Sequence, residues 1–428
     1  MLKAGFARLD VTPPLGTTLT GYFYPRISDG VLDPIYLNAI AINDGDASIL
    51  VITGDFMYIK ESFMTDCRVM IEKETGVDKD HILIQSVHQH TSTTPGGKNV
   101  ATDGYIATLY RKFVDVAVLA LDDMEEAVTT FGQQETAEPI AFIRRFWMKD
   151  GSLVTNPMPM DPNIVGPNSE ADNTVRVIKF ARSNKKDIAL VQFQTHPDVI
   201  GGNKFSADWP GFVRNYVEAG LPDVSCMLLN GVQGDVNHYD ITKPRFATLE
   251  ERYAHSKHMG KVIADAAIEI WDKTTPVNTG KVTGCIETLY MPTNTNGIEN
   301  FDACMKIRKD YEAGKLGQKL TVPIVDAFRV TDMLTKNIVQ KVPVTVLSFG
   351  EIAIIGFPGE PFMEYAAQLR KAVSSKKLLF ACVANGDCGY FPSASAYAEG
   401  GYEATTATMP PQIAPALHET ALKMLNNL

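Results

Sequence analysis

The chain has 428 residues, of which 45% are hydrophobic and 21% are charged, and this composition excludes a largely disordered protein. Forty basic residues stand against 50 acidic ones, and the net charge of −10 argues against nucleic acid as a partner. No apolar run is long enough to cross a bilayer, so a transmembrane segment is also not expected.

Short apolar runs alternate with amphipathic stretches along most of the chain, which is typical of an α/β protein. In chain order, the predicted strands cover residues 48–53, 81–87, 188–194, 224–229, 345–348, 352–357 and 378–383. Helical spacing of apolar residues predicts helices around 63–70, 106–120, 301–311 and 413–424. We therefore expect mixed β-sheets flanked by helices.

No Gly-, Ser- or Pro-rich linker divides the chain, so the sequence predicts one domain over residues 1–428. The segment 291–341 is less regular than its surroundings. It is expected to be an excursion from the main sheet.

Reactive side chains follow the predicted strands. His88 and His90 come after the apolar run 82–84, and alternate residues of an extended chain share a face, so the two imidazoles are expected to face one space. His196, Glu360 and Tyr390 follow other runs. Because ligands bind beyond the carboxyl ends of strands in open α/β sheets, the active site is predicted there.

Glu360 precedes Pro361, which suits the first turn of a helix, so the carboxylate is expected at the start of that helix, where it could act as a cap. A cap can also bind a metal. If His88, His196 and Glu360 converge, they form a catalytic zinc set with a position left for water. A nitrogen and oxygen ligand set also accepts manganese, iron or nickel.

At these residues the sequence resembles the neutral/alkaline ceramidase family, zinc amidases that split the N-acyl bond of ceramide. The segments that carry the resemblance include SVHQHTSTTPGG, QTHPDVIGG, GFPGEPF, GYFPSASAYAEGGYE and GVQGDVNH. Together with the opening segment GFARLDVTPPLGTTLTGY, they match in kind and order from Gly5 to about Tyr402. The resemblance implies a catalytic domain without the β-sandwich that the family's full-length members append.

The resemblance also implies roles for individual residues. One Zn²⁺ would be bound by His88, His196, Glu360 and Tyr390, with His90 and Tyr402 beside the substrate. Arg144 matches the family's arginine, although Arg145 could be the one that points inward. Asn237 stands where the family has a serine discussed as a nucleophile, so attack by a serine is excluded here.

These residues predict a zinc-dependent hydrolase that cleaves an amide by metal-activated water, ceramidase-like but without long-chain ceramide as the expected substrate. His90 would transfer a proton to the leaving group, and Tyr402 or Arg144 would stabilise the oxyanion. Asp235 would anchor a ligand histidine.

Two other functions remain open. One is a metal-dependent hydrolase of an ester, a lactone or a sugar-linked acyl group, and the other is a non-catalytic binding protein on the same scaffold. The expected ligand is a small molecule, acylated or lipid-like, and the sequence leaves the oligomeric state open. The amino terminus lacks a secretory signal, which predicts a cytoplasmic protein, or a secreted or periplasmic one if a signal was trimmed.

Overall fold

The computed structural model of the chain describes residues 2–22, 24, 26–97, 103–317, 321–335 and 339–428. Its strands, in chain order, are β1 (Lys3–Asp10), β2 (Thr18–Leu19), β3 (Arg26–Ile27), β4 (Gly30–Val31), β5 (Tyr36–Asn43), β6 (Ser48–Gly54), β7 (Ile82–Ser86), β8 (Glu125–Glu135), β9 (Phe142–Ile143), β10 (Arg145–Met148), β11 (Leu153–Thr155), β12 (Ile164–Pro167), β13 (Thr174–Arg182), β14 (Asp187–Phe193), β15 (Lys204–Phe205), β16 (Val224–Asn230), β17 (Val236–Asn237), β18 (Thr275–Pro276), β19 (Val282–Met291), β20 (Gln340–Phe349), β21 (Ile352–Gly356), β22 (Glu360–Pro361), β23 (Lys377–Ala381) and β24 (Tyr390–Phe391).

The helices are α1 (Glu61–Thr75), α2 (Asp103–Asp122), α3 (Asp208–Gly220), α4 (Leu249–Trp271), α5 (Phe301–Glu312), α6 (Val322–Thr335), α7 (Met363–Ala372), α8 (Ala394–Glu399), α9 (Tyr402–Thr406) and α10 (Ile413–Asn426). Short 3₁₀ turns cover Lys79–His81 and Ile298–Asn300. The predicted α/β class is confirmed. In the described part of the chain, no helix is long and apolar enough to cross a membrane.

The larger sheet has the strand order β16-β14-β13-β8-β1-β5-β6-β7, with β18 beside β8. Its β6 and β7 are parallel, as are β14 and β16, and the other neighbouring strands are antiparallel. A smaller sheet has the order β19-β20-β21-β23, in which β21 and β23 are parallel. Both sheets are therefore mixed, as predicted.

The two sheets pack against each other, and helices cover their outer faces. Along β6, Ile49 and Val51 belong to the core shared with the smaller sheet, whereas Leu50 and Ile52 pack with Phe63 of α1. This alternation follows from the two-residue repeat of a strand. Because both faces of β6 are buried, the strand is a continuous apolar run rather than an alternating one.

The strands that precede the site residues, β7, β14, β21 and β23, end at one edge, where the site lies. His88 and His90 follow β7, His196 follows β14, Glu360 follows β21, and Tyr390 follows β23. The prediction of an active-site edge at the carboxyl ends of the strands agrees with this arrangement.

The segment 291–341 lies between two adjacent strands. β19 and β20 are antiparallel neighbours from Val282 opposite Phe349 to Met291 opposite Gln340. Helices α5 and α6 lie between them in sequence and have a small core of their own that includes Cys304, Ala327 and Val330. The prediction of one domain over residues 1–428, with this segment as an excursion, stays a prediction.

The predicted start of the helix after Glu360 is wrong. Glu360 and Pro361 form the two-residue strand β22 beside Tyr390 and Phe391, and this pairing keeps them extended, so α7 begins only at Met363. The backbone N–H of Met363 donates a hydrogen bond of 2.9 Å to Asp235 Oδ1. Asp235, not Glu360, is therefore the carboxylate that caps this helix.

Candidate metal centre

His88 and His90 do not reach the site through a regular strand. β7 ends at Ser86, and His88 has a φ of +85°, in the left-handed region that few side chains adopt. The backbone N–H of His88 donates to Phe56 O at 2.9 Å, which holds this turn. The expectation of an extended segment is wrong, yet the two imidazoles do meet, with ring centroids 5.0 Å apart.

His88 and His196 are both oriented by backbone carbonyls. His88 Nδ1 lies 2.8 Å from Met57 O, and His196 Nδ1 lies 2.9 Å from Val236 O. A carbonyl only accepts, so Nδ1 carries the proton in each ring, and in the neutral imidazole Nε2 has a free lone pair. The expectation that Asp235 would anchor a ligand histidine is therefore wrong, because carbonyl oxygens do this.

Glu360 faces both free imidazole nitrogens. Its Oε2 lies 2.9 Å from His196 Nε2 and 3.4 Å from His88 Nε2, and this buried oxygen has no hydrogen-bond partner. Lone pairs of nitrogen and oxygen at this spacing need a cation between them.

The imidazole of His196 has little tendency to supply that cation by taking a proton. Burial lowers the pKa of His196, and the neighbouring Arg144 guanidinium lowers it further. Arg144 Nη1 lies 3.5 Å from His196 Nε2. The two imidazoles and the carboxylate therefore fit a divalent metal ion such as Zn²⁺, whose usual protein ligands include these groups.

Tyr390 lies beside Glu360 because β22 and β24 pair in parallel, with Glu360 opposite Tyr390. The Tyr390 ring centroid is 6.4 Å from that of His196, and Arg144 Cζ lies 5.1 Å from the Tyr390 ring centroid. Burial and the Glu360 carboxylate raise the pKa of Tyr390 well above its usual value. The phenol thus remains protonated unless a cation binds next to it.

A glycine allows the segment that carries Asp235 to approach Glu360. A Cβ atom on Gly234 would lie 2.3 Å from Glu360 O and 2.9 Å from Pro361 O, both backbone atoms. The N–H of Gly234 donates to Pro361 O at 2.9 Å. Position 234 therefore admits only glycine without displacement of Glu360.

His90 is a third imidazole at the same place. One nitrogen from each of His88, His90 and His196 lies within 4.8 Å of the other two, a spacing that could also hold a metal. Both ring nitrogens of His90 are buried without a hydrogen-bond partner, and Nδ1 lies 3.6 Å from Asp198 Oδ1. Burial lowers the pKa of His90 well below its usual value, and His88 and His196 add to this effect.

Arg144, rather than Arg145, faces the centre. Arg145 binds Glu399 at 3.1 Å and Glu403 at 3.0 Å, away from the imidazoles. Glu403 is fully buried and also binds Arg144 Nε at 2.7 Å. Glu403 thus orients both guanidinium groups, and Glu399 supplies a second negative charge beside Arg145.

Every predicted site residue except Asp235 and Glu360 lines one cleft of about 540 Å³. The ring centroids of Tyr390 and Tyr402 are 5.6 Å apart in this cleft, and burial raises the pKa of Tyr402 to about 12. Asn237 Nδ2 donates to Asn156 Oδ1 at 2.6 Å. The cleft gives a small molecule access to the imidazoles.

Sequence reasoning missed several residues of the site. Tyr58 donates its hydroxyl to Glu360 Oε1 at 2.6 Å, Asp198 faces His90, and Glu403 binds both arginines. Asp198 and Glu403 each lie within two positions of a predicted site residue, and this proximity was the available signal. The available signal for Tyr58 was only its position four residues after Gly54, the last residue of β6.

No protein-family profile matches the chain, and no curated protein matches it in sequence. Two solved structures match its fold with a TM-score of 0.75 each. One is neutral ceramidase from Pseudomonas aeruginosa, with 14% sequence identity over 98% of this chain and 73% of that one. The other is a ceramidase complexed with C2, with 13% identity over 100% of this chain and 76% of that one. The chain therefore has the neutral ceramidase-like fold.

Proposed function

We propose that this protein is a zinc-dependent hydrolase that cleaves an amide (N-acyl) bond of a small acylated or lipid-like molecule. The observation that carries the proposal is the buried, unpartnered Glu360 Oε2, which faces Nε2 of both His88 and His196. The ceramidase-like fold supports an amide as the bond that is cleaved, because the two similar structures described above are ceramidases. Long-chain ceramide itself is not proposed.

The proposed ligands are His88, His196, Glu360 and Tyr390. Bound zinc supplies Lewis acidity, which polarises a carbonyl and lowers the pKa of water toward neutrality. This chemistry needs no serine nucleophile, so Asn237 at the corresponding position is compatible with catalysis. Asn237 instead holds the cleft wall through its hydrogen bond to Asn156.

The remaining residues of the cleft act on the substrate. His90, beside Asp198, transfers a proton to the leaving amine. Arg144 remains charged in its buried position because Glu403 pairs with it, and its guanidinium and the Tyr402 hydroxyl stabilise the negative charge that develops on the carbonyl oxygen. Asp235 acts indirectly, because it caps α7 directly after Glu360 and Pro361.

Two measurements on the purified protein test this proposal. Elemental analysis should find one zinc ion per chain, and removal of the metal by a chelator should abolish hydrolysis until zinc is added back. An N-acyl amide should be cleaved faster than an ester with the same acyl chain. Protein that binds no zinc from a zinc-containing buffer would contradict the metal centre, and a preference for the ester would contradict the amidase assignment.

A further inference from the structure

A second cavity of about 310 Å³ adjoins the cleft. The two spaces share Tyr22, Asn156, Asp198 and Asn237 as lining residues. The two spaces are therefore neighbours, and these four residues form their common boundary.

Two arginines line this second cavity. Arg245 Nη2 donates to the Tyr239 hydroxyl at 2.7 Å, and Arg252 Nε donates only to the backbone oxygen of Thr248 at 3.3 Å. Within the part of the chain that the structure describes, no carboxylate lies within 4.0 Å of either guanidinium group. Guanidinium groups bind carboxylates through paired N–H donors. Both arginines therefore have N–H donors available for the carboxylate of a ligand.

The acid that lines the cavity is engaged elsewhere. Asp198 accepts a short hydrogen bond from the Tyr22 hydroxyl and lies 3.6 Å from His90 Nδ1. Arg252 and Tyr22 nevertheless approach the same point beside Gly201. A Cβ atom placed on Gly201 would lie 2.9 Å from Arg252 Nη1 and 3.0 Å from the Tyr22 hydroxyl. Arg252 thus lies beside Tyr22, a residue that lines both the cleft and the second cavity.

A third polar group lines the cavity. His238 lines the cavity, and its Nδ1 atom is buried. Phe246 and Tyr239 add aromatic surface beside it. The two guanidinium groups beside these side chains favour a ligand with acceptor oxygens.

We propose that this cavity binds a carboxylate on the amine half of the amide, which makes N-acyl amino acids the substrate class. The inference rests on the proposed function. Asp198 contacts His90, which protonates the leaving amine, and also lines the second cavity, so the amine half extends toward Arg245 and Arg252. In the reaction the C–N bond breaks, the oxygen of water joins the acyl carbon to give a carboxylate, and both protons of that water go to the nitrogen, which leaves as the ammonium group of a free amino acid.

The test compares an N-acylglycine with the N-acyl ethylamine of the same acyl chain, which lacks the carboxylate. Wild-type zinc-loaded protein should prefer the N-acylglycine by tenfold or more in kcat/KM. The double variant Arg245→Ala/Arg252→Ala should reduce this preference at least tenfold, and Arg245→Lys/Arg252→Lys should retain part of it. Arg111→Ala, which removes an exposed arginine on α2, is the matched control.

The outcomes separate this inference from the proposed function. Hydrolysis of neither compound overturns the proposed function itself. Equal hydrolysis of both by wild-type protein leaves the amidase intact and overturns the carboxylate subsite, as does a preference that the double variant retains in full. Should the double variant unfold, the single variant Arg245→Ala, at an exposed position, should still lower the preference severalfold.

Discussion

The Tyr58 hydroxyl donates to Glu360 Oε1 at 2.6 Å, while Oε2 of the same carboxylate faces the imidazoles of His88 and His196. A donor to the outer oxygen of a ligand carboxylate fixes its orientation, and loss of such a partner commonly weakens metal binding by about 10- to 100-fold. We therefore expect Tyr58→Phe to weaken zinc binding by about that factor. Competition with a chelator of known affinity measures it.

Tyr105→Phe is the control for this substitution. Tyr105 also donates its hydroxyl at 2.6 Å, but to the backbone oxygen of Val11, and it does not line the cleft. Zinc affinity should be unchanged in this variant. Equal zinc affinities in the two variants would show that Tyr58 does not orient the carboxylate.

His90→Ala should retain zinc and lose turnover by about 100-fold or more, because His90 is assigned to proton transfer rather than to the metal. The measurement is zinc content together with kcat. His258→Ala, which removes an exposed imidazole paired with Glu138, is the control. If His90→Ala is purified without zinc, the metal is held by the three imidazoles and our assignment of roles is wrong.

Arg214 and Asp55 form a buried ion pair that stabilises the segment carrying His88 and His90. The two guanidinium bonds to the carboxylate are 2.6 and 2.9 Å long, and Asp55 also accepts from Gln89, between His88 and His90. Arg214→Ala leaves a buried carboxylate without its partner, so the free energy of unfolding should fall by about 3–5 kcal/mol. Urea denaturation measures this change.

An exposed ion pair gives the comparison for Arg214. Arg111 pairs with Asp115 at 2.7 Å on the surface of α2, and its replacement by alanine should cost less than about 1 kcal/mol. If Arg214→Ala lowered the free energy of unfolding by a similarly small amount, the predicted contribution of the buried pair to stability would be contradicted. Zinc should be removed from all samples so that metal binding does not add to stability.

Because of Asp33, the free energy of unfolding should decrease as the pH rises from about 4 to about 6. Burial raises the pKa of Asp33 to about 6, although Ser206 and Ala207 donate hydrogen bonds to it. In this range the folded protein retains a proton that the unfolded chain releases, so increasing pH favours unfolding. Asp33→Asn removes this contribution. The free energy of unfolding of the variant, relative to that of wild type, should therefore increase from pH 4.5 to pH 7.5.

Denaturation of both proteins at the two pH values checks this prediction. Asp10→Asn replaces an exposed carboxylate that also accepts a backbone N–H, and it serves as the control. The predicted role of Asp33 would be contradicted if Asp33→Asn and wild type differed in stability by the same amount at both pH values.

The sequence predicted six strands that are buried on both faces and part of β20, but it missed β5, which is also buried on both faces, and most of the other strands. β6, β7, β14, β16, β21 and β23 are continuous apolar runs with clear ends. β1, β5, β8 and β13 were not predicted, although they form the middle of the larger sheet. Strand β8, with the sequence EEAVTTFGQQE, has polar residues along one face, and its polar ends resemble a loop.

The site was predictable where residues follow strand ends, because chain direction alone brings those ends to one edge. The prediction failed where contacts join distant positions. Tyr58 and Glu360 are 302 positions apart, and no local pattern links them. Asp235 follows a strand end as predicted, but its carboxylate turns to the first N–H of α7 because an unpaired donor is available there.

The backbone contact at Gly234 has a consequence for protein engineering. A single methyl group added there would push on the main chain of Glu360 and move its carboxylate away from the imidazoles, with every ligand residue still in the sequence. Libraries built to alter the selectivity of the cleft should therefore keep this glycine fixed. A homologue that carries any larger residue at this position should be suspected of having abandoned the chemistry, even when its histidines are intact.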